Sequence, residues 1–423
     1  MTVRSPSFRA GFGGIAALAV GALLASCTAA GGGSGNSAAG GSIKLFVSYA
    51  GDSVASSKPN VGNAAKAAVD AINKDGGVKG SQLELVQCKN LFDQGPALDC
   101  ARKGTSDDIL AWVGQDDLFT DQTLPILEQA NVPSIGLGTS GSPSDFTSPM
   151  SFPLSAGVSG AILSTPLMLK ELGHKSITPV ECEYPACKNN GKLMRDFAPP
   201  YNIDVTSPVE ILNLGMPDYS PLAQRVKDMD ADAVEFISSA GPALGLMKAL
   251  ADIGHKPALA ANPQTIGEND AAENGELLEN FLNPSAYPSP REYKKYPMME
   301  QFVNDMAAFE GKSVENYLDA VVYDRSWMND VQAWQGVYAA AAAIEAIPGD
   351  EVTRETLLKV LNDPSTSLNL MEFVTWTPGV AGPEGYERMP QMRTYFTTFK
   401  DGKAVDLDIP QNVDLVPTIK GEK

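Results

Sequence analysis

The stretch Asn63-Ala64-Ala65-Lys66-Ala67-Ala68-Val69-Asp70-Ala71-Ile72-Asn73, followed by Asp75-Gly76-Gly77, decides how the chain is read. Its apolar residues fall on one helical face, and the glycines stop the helix. A strand-like run, Ile43 to Val47, precedes it, and a second, Gln82 to Gln87, follows. Outward from there the two patterns keep alternating. Pro96 to Thr105 and Thr123 to Ala130 read as helices, and Ile109 to Gly114 and Val132 to Leu137 as strands. Strands alternating with helices of about ten residues are βαβ units, which build a parallel sheet covered on both faces.

The alternation restarts after Ser148 to Ala156, a stretch broken by Pro149 and Pro153. Ser159 to Leu172, Lys188 to Ala198, Tyr219 to Met229 and Pro242 to Ile253 read as helices. Ser176 to Val180, Asp204 to Glu210, Ala233 to Ser238 and Ala258 to Ala261 read as strands. A second Pro-rich stretch, Asn283 to Pro290, leads into helices at Met298 to Glu310, Val331 to Ala346 and Arg354 to Leu361. Two strands, Arg393 to Phe399 and Ala404 to Asp406, come last. The expected fold class is α/β, with two successive halves of like architecture.

Composition sets outer limits. The 423 residues suit two to three domains at roughly 150 each. With 51 acidic and 32 basic residues, the formal charge is −19. Phosphate contacts need clustered Lys and Arg, so nucleic acid is not an expected partner. The same charge opposes loose adsorption to anionic lipid.

The N-terminus reads as an address. Arg4 and Arg9 precede Gly11 to Leu24, a run of 14 uncharged residues. That is short of the ~20 apolar residues a membrane span needs, and it suits a secretory signal over residues 1–26. Leu24-Ala25-Ser26-Cys27 looks like a bacterial lipobox, which makes Cys27 the expected lipidated first residue of the mature chain. An ordinary cleavage site is the alternative. Residues 28–42 are rich in Gly, Ser and Ala, a flexible spacer reaching roughly 20 Å. The expected location is outside the cytoplasm, lipid-anchored to the membrane. Cys88, Cys100, Cys182 and Cys187 remain, an even number that suggests disulfides in an exported chain. The local pairing is one of three possible connectivities. Zinc is the competing use, without a CxxC or His-spaced ligand set to support it. No metal and no cofactor is expected.

Several segments together resemble a known family. They are Ala67 to Gly80, with its Ile72-Asn73-Lys74-Asp75-Gly76-Gly77-Val78-Lys79-Gly80 ending, Ala111-Trp112-Val113-Gly114, and Ala130-Asn131-Val132-Pro133-Ser134-Ile135. Tyr317-Leu318-Asp319-Ala320, and Arg393-Thr394-Tyr395-Phe396 with Lys400-Asp401-Gly402-Lys403, complete the set. Over about residues 43–410 the chain resembles the extracellular solute-binding proteins of branched-chain amino-acid ABC importers, the Leu/Ile/Val-binding family. The resemblance implies a periplasmic-binding-protein type I fold: two Rossmann-like lobes with parallel sheets joined by a three-segment hinge. Lobe 1 would take residues 43–155 and 283–368, and lobe 2 residues 156–282. Residues 369–423 would cross the hinge and return to lobe 2. The crossings would fall near Ser151 to Ala156, Leu282 to Tyr287 and Asn369 to Thr377. Open α/β sheets bind ligands outside the carboxyl ends of their strands, and two such edges can shut by hinge motion.

The strand ends name the candidate ligand-binding residues. After Gly114 come Gln115-Asp116-Asp117-Leu118-Phe119-Thr120, and after Ile135 come Gly136-Leu137-Gly138-Thr139-Ser140-Gly141. The resemblance implies that these loops give hydroxyls and backbone N–H groups to a ligand carboxylate, a use that Thr139 and Ser140 match. The first loop departs from the small hydroxyl residues frequent in the family, with Asp117, Leu118 and Phe119 in their place. Asp116 and Asp117 read equally as helix N-terminal charge. Gly136, Gly138 and Gly141 formally spell GxGxxG, but no helix starts directly after them, so a dinucleotide is not expected. In the second half, Tyr184 falls near the family's aromatic ligand contact, or packs beside a small disulfide loop. Ser239 follows a strand and either faces the cleft or is a plain loop serine. Gln264 falls where the family places an acidic residue against an α-ammonium, and Ser57 where it places a ring. An amide cannot neutralise an ammonium, so the expected solute is an amino-acid relative such as an amide or organic acid.

The expected function is capture of a small solute for an ABC permease by a monomeric, membrane-tethered receptor. A sensory protein presenting solute to a membrane receptor is the alternative, and a surface-anchored hydrolase a weaker one. HExxH, GxSxG and Walker A motifs are absent and the chain has two histidines, so it is not expected to be an enzyme.

Overall fold

The computed structural model describes residues 41–53, 57–212, 215–320, 327–370 and 374–421. The signal over 1–26, Cys27 and the spacer as far as residue 40 lie outside them.

The first half winds as strand β1 (Ser42–Tyr49), helix α1 (Val61–Lys74), β2 (Gln82–Lys89), α2 (Gln94–Lys103), β3 (Ile109–Val113), α3 (Thr120–Gln129), β4 (Ser134–Ile135), α4 (Pro143–Thr147) and β5 (Ser151–Phe152). These strands form one parallel sheet in the order β2-β1-β3-β4-β5. Helix α1 forms where the alanine stripe predicts it, with Ala64, Ala65, Ala67, Ala68 and Val69 buried. Strand β4 is shorter than the Val132 to Leu137 run, because Pro133 lacks an N–H and Gly136 turns the chain at φ +70°.

The second half continues with α5 (Gly157–Glu171), β6 (Ser176–Cys182), α6 (Pro185–Phe197), β7 (Asp204–Val205), β8 (Val209–Ile211), α7 (Ser220–Asp228), β9 (Ala233–Ile237), α8 (Ala240–Asp252), β10 (Ala258–Ala260), α9 (Glu268–Asn274) and β11 (Leu282–Ser285). The expected strand Asp204 to Glu210 is two pieces, both parallel to β6, interrupted before Pro208. Strand β11 occupies the start of the second Pro-rich stretch.

The chain then returns to the first lobe as α10 (Pro297–Phe309), α11 (Val314–Ala320), α12 (Trp327–Glu345) and α13 (Arg354–Asn362). Helix α12 is buried nearly all round, and Trp334, Val337 and Ala340 share a core with α1. Its Trp334 Nε1 and Tyr338 hydroxyl both donate to Asp305 of α10, at 2.8 and 2.7 Å. The stretch Asn369 to Thr377, expected as a crossing, holds a separate antiparallel pair, β12 (Leu368–Leu370) and β13 (Val374–Trp376). Leu368, Leu370 and Trp376 pack into that same core. The chain reaches the second sheet at β14 (Arg393–Lys400), followed by β15 (Lys403–Asp406), β16 (Val413–Asp414) and α14 (Val416–Ile419). The second sheet runs β15-β14-β11-β10-β9-β6-β7, with β8 also on β6 and β16 on β14. Strands β14 and β15 enter antiparallel. The architecture is α/β, two parallel-sheet lobes of Rossmann-like winding.

Two disulfides join Cys88 to Cys100 and Cys182 to Cys187. The first ties β2 to α2, and the second closes the turn from β6 into α6.

Candidate ligand-binding cleft

The carboxyl ends of β3 and β4 in one sheet, and of β6, β9 and β10 in the other, open on a shared cleft of about 1000 Å³. Its first-lobe wall comes from the loops after β1, β3 and β4. Its second-lobe wall comes from the Cys182–Cys187 loop and the turns after β9 and β10. Helix α12 closes the floor. Gly114 (φ +56°) and Gly336 let it ride against the sheet: a side chain on Gly336 would meet the Gly114 nitrogen at 2.6 Å. That close approach delivers Asn329 and Gln332 to the cleft.

Six of the eight candidate residues line this space: Phe119, Thr139, Ser140, Tyr184, Ser239 and Gln264. Asp117 and Thr120 do not, because both side chains turn inward. The Asp117 carboxylate accepts from the Phe119 N–H (2.8 Å), the Thr123 hydroxyl (2.7 Å) and the Gln115 amide (3.2 Å), fastening the first turn of α3. The Thr120 hydroxyl donates to Asp145 at 2.5 Å beneath the wall.

The Gly138 to Ser142 loop also corrects an expectation. Its N–H groups were expected to meet a ligand carboxylate. Instead the Asp145 carboxylate accepts the N–H groups of Ser140 (2.8 Å), Gly141 (3.2 Å) and Ser142 (3.2 Å). The Thr139 hydroxyl donates to the Ala156 carbonyl and the Ser140 hydroxyl to the Asp117 carbonyl (3.3 Å). The N–H groups of Ser140, Gly141 and Ser142 and the hydroxyls of Thr139 and Ser140 are therefore spent within the protein. Burial pushes the Asp145 carboxyl up to about 7, against the pull of its four donors.

Asp116, weighed from the sequence as helix N-terminal charge, forms the polar centre with Lys58 and Asn329, which the sequence reading did not name. Lys58 Nζ lies 3.3 Å from Asp116 Oδ1, 3.1 Å from Gln264 Oε1 and 4.6 Å from the Phe92 ring centroid. Asn329 Nδ2 donates to the same Asp116 oxygen at 2.9 Å. Burial raises the Asp116 pKa and the Lys58 charge opposes that. The polar positions Asn329 and Gln332, three apart on one face of α12, were the available signal. Lys58, in the Ser57-Lys58-Pro59 turn, had none to separate it from a surface lysine. Two further bonds cross the cleft: Asn190 Nδ2 to the Ser140 carbonyl (3.0 Å) and Asn189 Nδ2 to the Gly141 carbonyl (3.3 Å). Asp116 Oδ2, Asn190 Oδ1 and Asn329 Oδ1, on residues that line the cleft, are themselves packed out of reach of solvent.

Two α/β lobes facing each other across the carboxyl ends of their strands make a bilobal binding protein of the type I class. Residues 46–403 match the family described as periplasmic binding protein, and the chain belongs to that family. Among solved structures it is similar to an ABC transporter substrate-binding protein from Desulfitobacterium hafniense in complex with Leu. That pair has 17% identity and a TM-score of 0.66, with 86% of this chain and 100% of that one covered. It is similar to a solute-binding protein of an ABC transporter from R. palustris in complex with benzoate, at 16% identity and TM-score 0.65, covering 86% and 95%. A fatty acid ABC transporter substrate-binding protein from Thermomonospora curvata shows 14% identity and TM-score 0.68, covering 89% and 93%. At these identities the likeness is one of fold. No curated protein matches the chain.

Proposed function

We propose that the protein is the lipid-anchored receptor of an ABC importer, taking up a small solute in its cleft outside the cytoplasm and handing it to permease subunits. The observation that carries this reading is the cleft itself. It is bounded by both lobes, bridged by Lys58 and Gln264, and lined by a mixture of apolar and polar side chains. Its volume is in the range of small-molecule sites, roughly 300 to 1000 Å³. The three similar structures carry ABC-transport descriptions, and two hold small solutes. Binding rather than catalysis fits the placement of the two histidines. His174 and His255 precede β6 and β10, at the amino ends of their strands, opposite the cleft. Residues Phe119, Thr139, Ser140, Tyr184, Ser239 and Gln264, with Lys58 and Asn329, are the proposed ligand contacts; Cys27 is the proposed anchor.

Native mass spectrometry of the purified protein tests the reading. One co-purifying small molecule, released intact on denaturation, is the expected result. A solute recovered only as a cleaved product would refute it in favour of hydrolysis.

A further inference from the structure

The chemistry of the cleft selects among solutes, and the selection rests on the solute-binding reading above. The donors that a carboxylate would use are committed. Asp145 holds the N–H groups of Ser140, Gly141 and Ser142, and the Thr139 and Ser140 hydroxyls point to backbone carbonyls. The ammonium of Lys58 is spent on Asp116, Gln264 and the face of Phe92. Neither set is left to meet a carboxylate on the occupant.

Charge points the same way. Asp116, Asp121, Asp270 and Glu273 line the cleft, and Lys58 is the one cationic side chain among the described residues that does. An anion entering meets like charge at short range. The remaining wall is apolar: Phe92, Leu118, Phe119, Val158, Ile162 and Tyr184.

We infer that the cleft takes a neutral or cationic solute with an apolar body, an amine or amide, and rejects a free carboxylate. Matched pairs separate the two chemistries while holding the apolar body fixed. Calorimetry on the purified protein, freed of its co-purified solute, compares L-leucinamide with L-leucine and benzamide with benzoate. The solute recovered from the protein on denaturation is identified by mass in parallel. The expected result is at least tenfold tighter binding of an amide than of its matched acid, and a recovered solute without a carboxylate. An acid that binds as tightly as its amide, or a recovered carboxylate, overturns this selection and leaves the receptor reading standing. Binding of none of the four, with no solute recovered, overturns both.

Discussion

Lys58 of the first lobe reaches Gln264 of the second, its ammonium 3.1 Å from the amide oxygen across the cleft. One charged hydrogen bond thus spans the two lobes across the cleft. Hydrogen bonds to charged groups contribute about 1.5 to 3 kcal/mol net. Gln264→Ala should therefore shift the solute-free protein toward an open form, read as a larger radius of gyration by X-ray scattering. An unchanged radius would show that this bond does not hold the lobes together.

Lys58→Met removes more than a bridge. It leaves the Asp116 carboxylate buried without its counter-ion, a change that costs about 3 to 5 kcal/mol at buried pairs. Burial already raises the Asp116 pKa, so protonation relieves part of that loss in acid. The deficit in denaturant stability should be larger at pH 8 than at pH 5. An equal deficit at both would remove Asp116 from the explanation.

Glu235 on β9 is fully buried, accepts from the Thr165 hydroxyl at 3.3 Å, and has its carboxyl pushed up to about 8 by desolvation. A raised carboxyl binds a proton in the folded state that the unfolded chain releases above about 4.5. Stability is then lost as pH climbs from about 4.5 to about 8, at ~1.4 kcal/mol per pH unit. Asp145, at about 7, contributes with the same sign from its ordinary 3.8 upward. Glu235→Gln should match the parent near pH 4 and exceed it at pH 8 in urea unfolding. A difference that does not grow with pH would contradict the burial argument.

The two disulfides predict separable losses. Loop-closure entropy gives about 3 kcal/mol for Cys88–Cys100, which closes the longer loop, and about 2 kcal/mol for Cys182–Cys187. Only the second lines the cleft, with Tyr184 inside its loop. Paired Ala substitutions at 182 and 187 should weaken solute binding at temperatures where the fold is intact, whereas substitutions at 88 and 100 should lower the melting temperature alone. Calorimetry and thermal melts on both variants make the comparison.

The anchor is tested at one atom. Cys27→Ala should release the protein from membranes into the soluble fraction, checked by detergent phase partitioning. Retention in the detergent phase would count against lipidation.

The alternation of α1, α2 and α3 with β1 and β3 was legible because each segment is long enough to show its period. Strands β5, β7 and β16, at two residues each, are set by neighbours rather than by their own pattern. The cleft was half legible. Residues at strand ends, such as Ser140, Tyr184 and Gln264, follow from topology. Side-chain direction does not: Asp117 and Thr120 stand on the right loop and face inward. Lys58 and Asn329 are 271 positions apart in numbering and meet only through the packing of α12 against the first sheet. No local pattern reports that encounter.

Strand β14 has a consequence for how the polypeptide matures. It covers the flank of β11, yet more than a hundred residues separate the two in the chain, and α10 to α13 lie between them. Until Arg393 to Lys400 arrives, β11 presents a naked row of amides and carbonyls to any passing extended segment. A chain stalled or clipped before β14 would thus carry an exposed sheet edge, open to mispairing and to proteases.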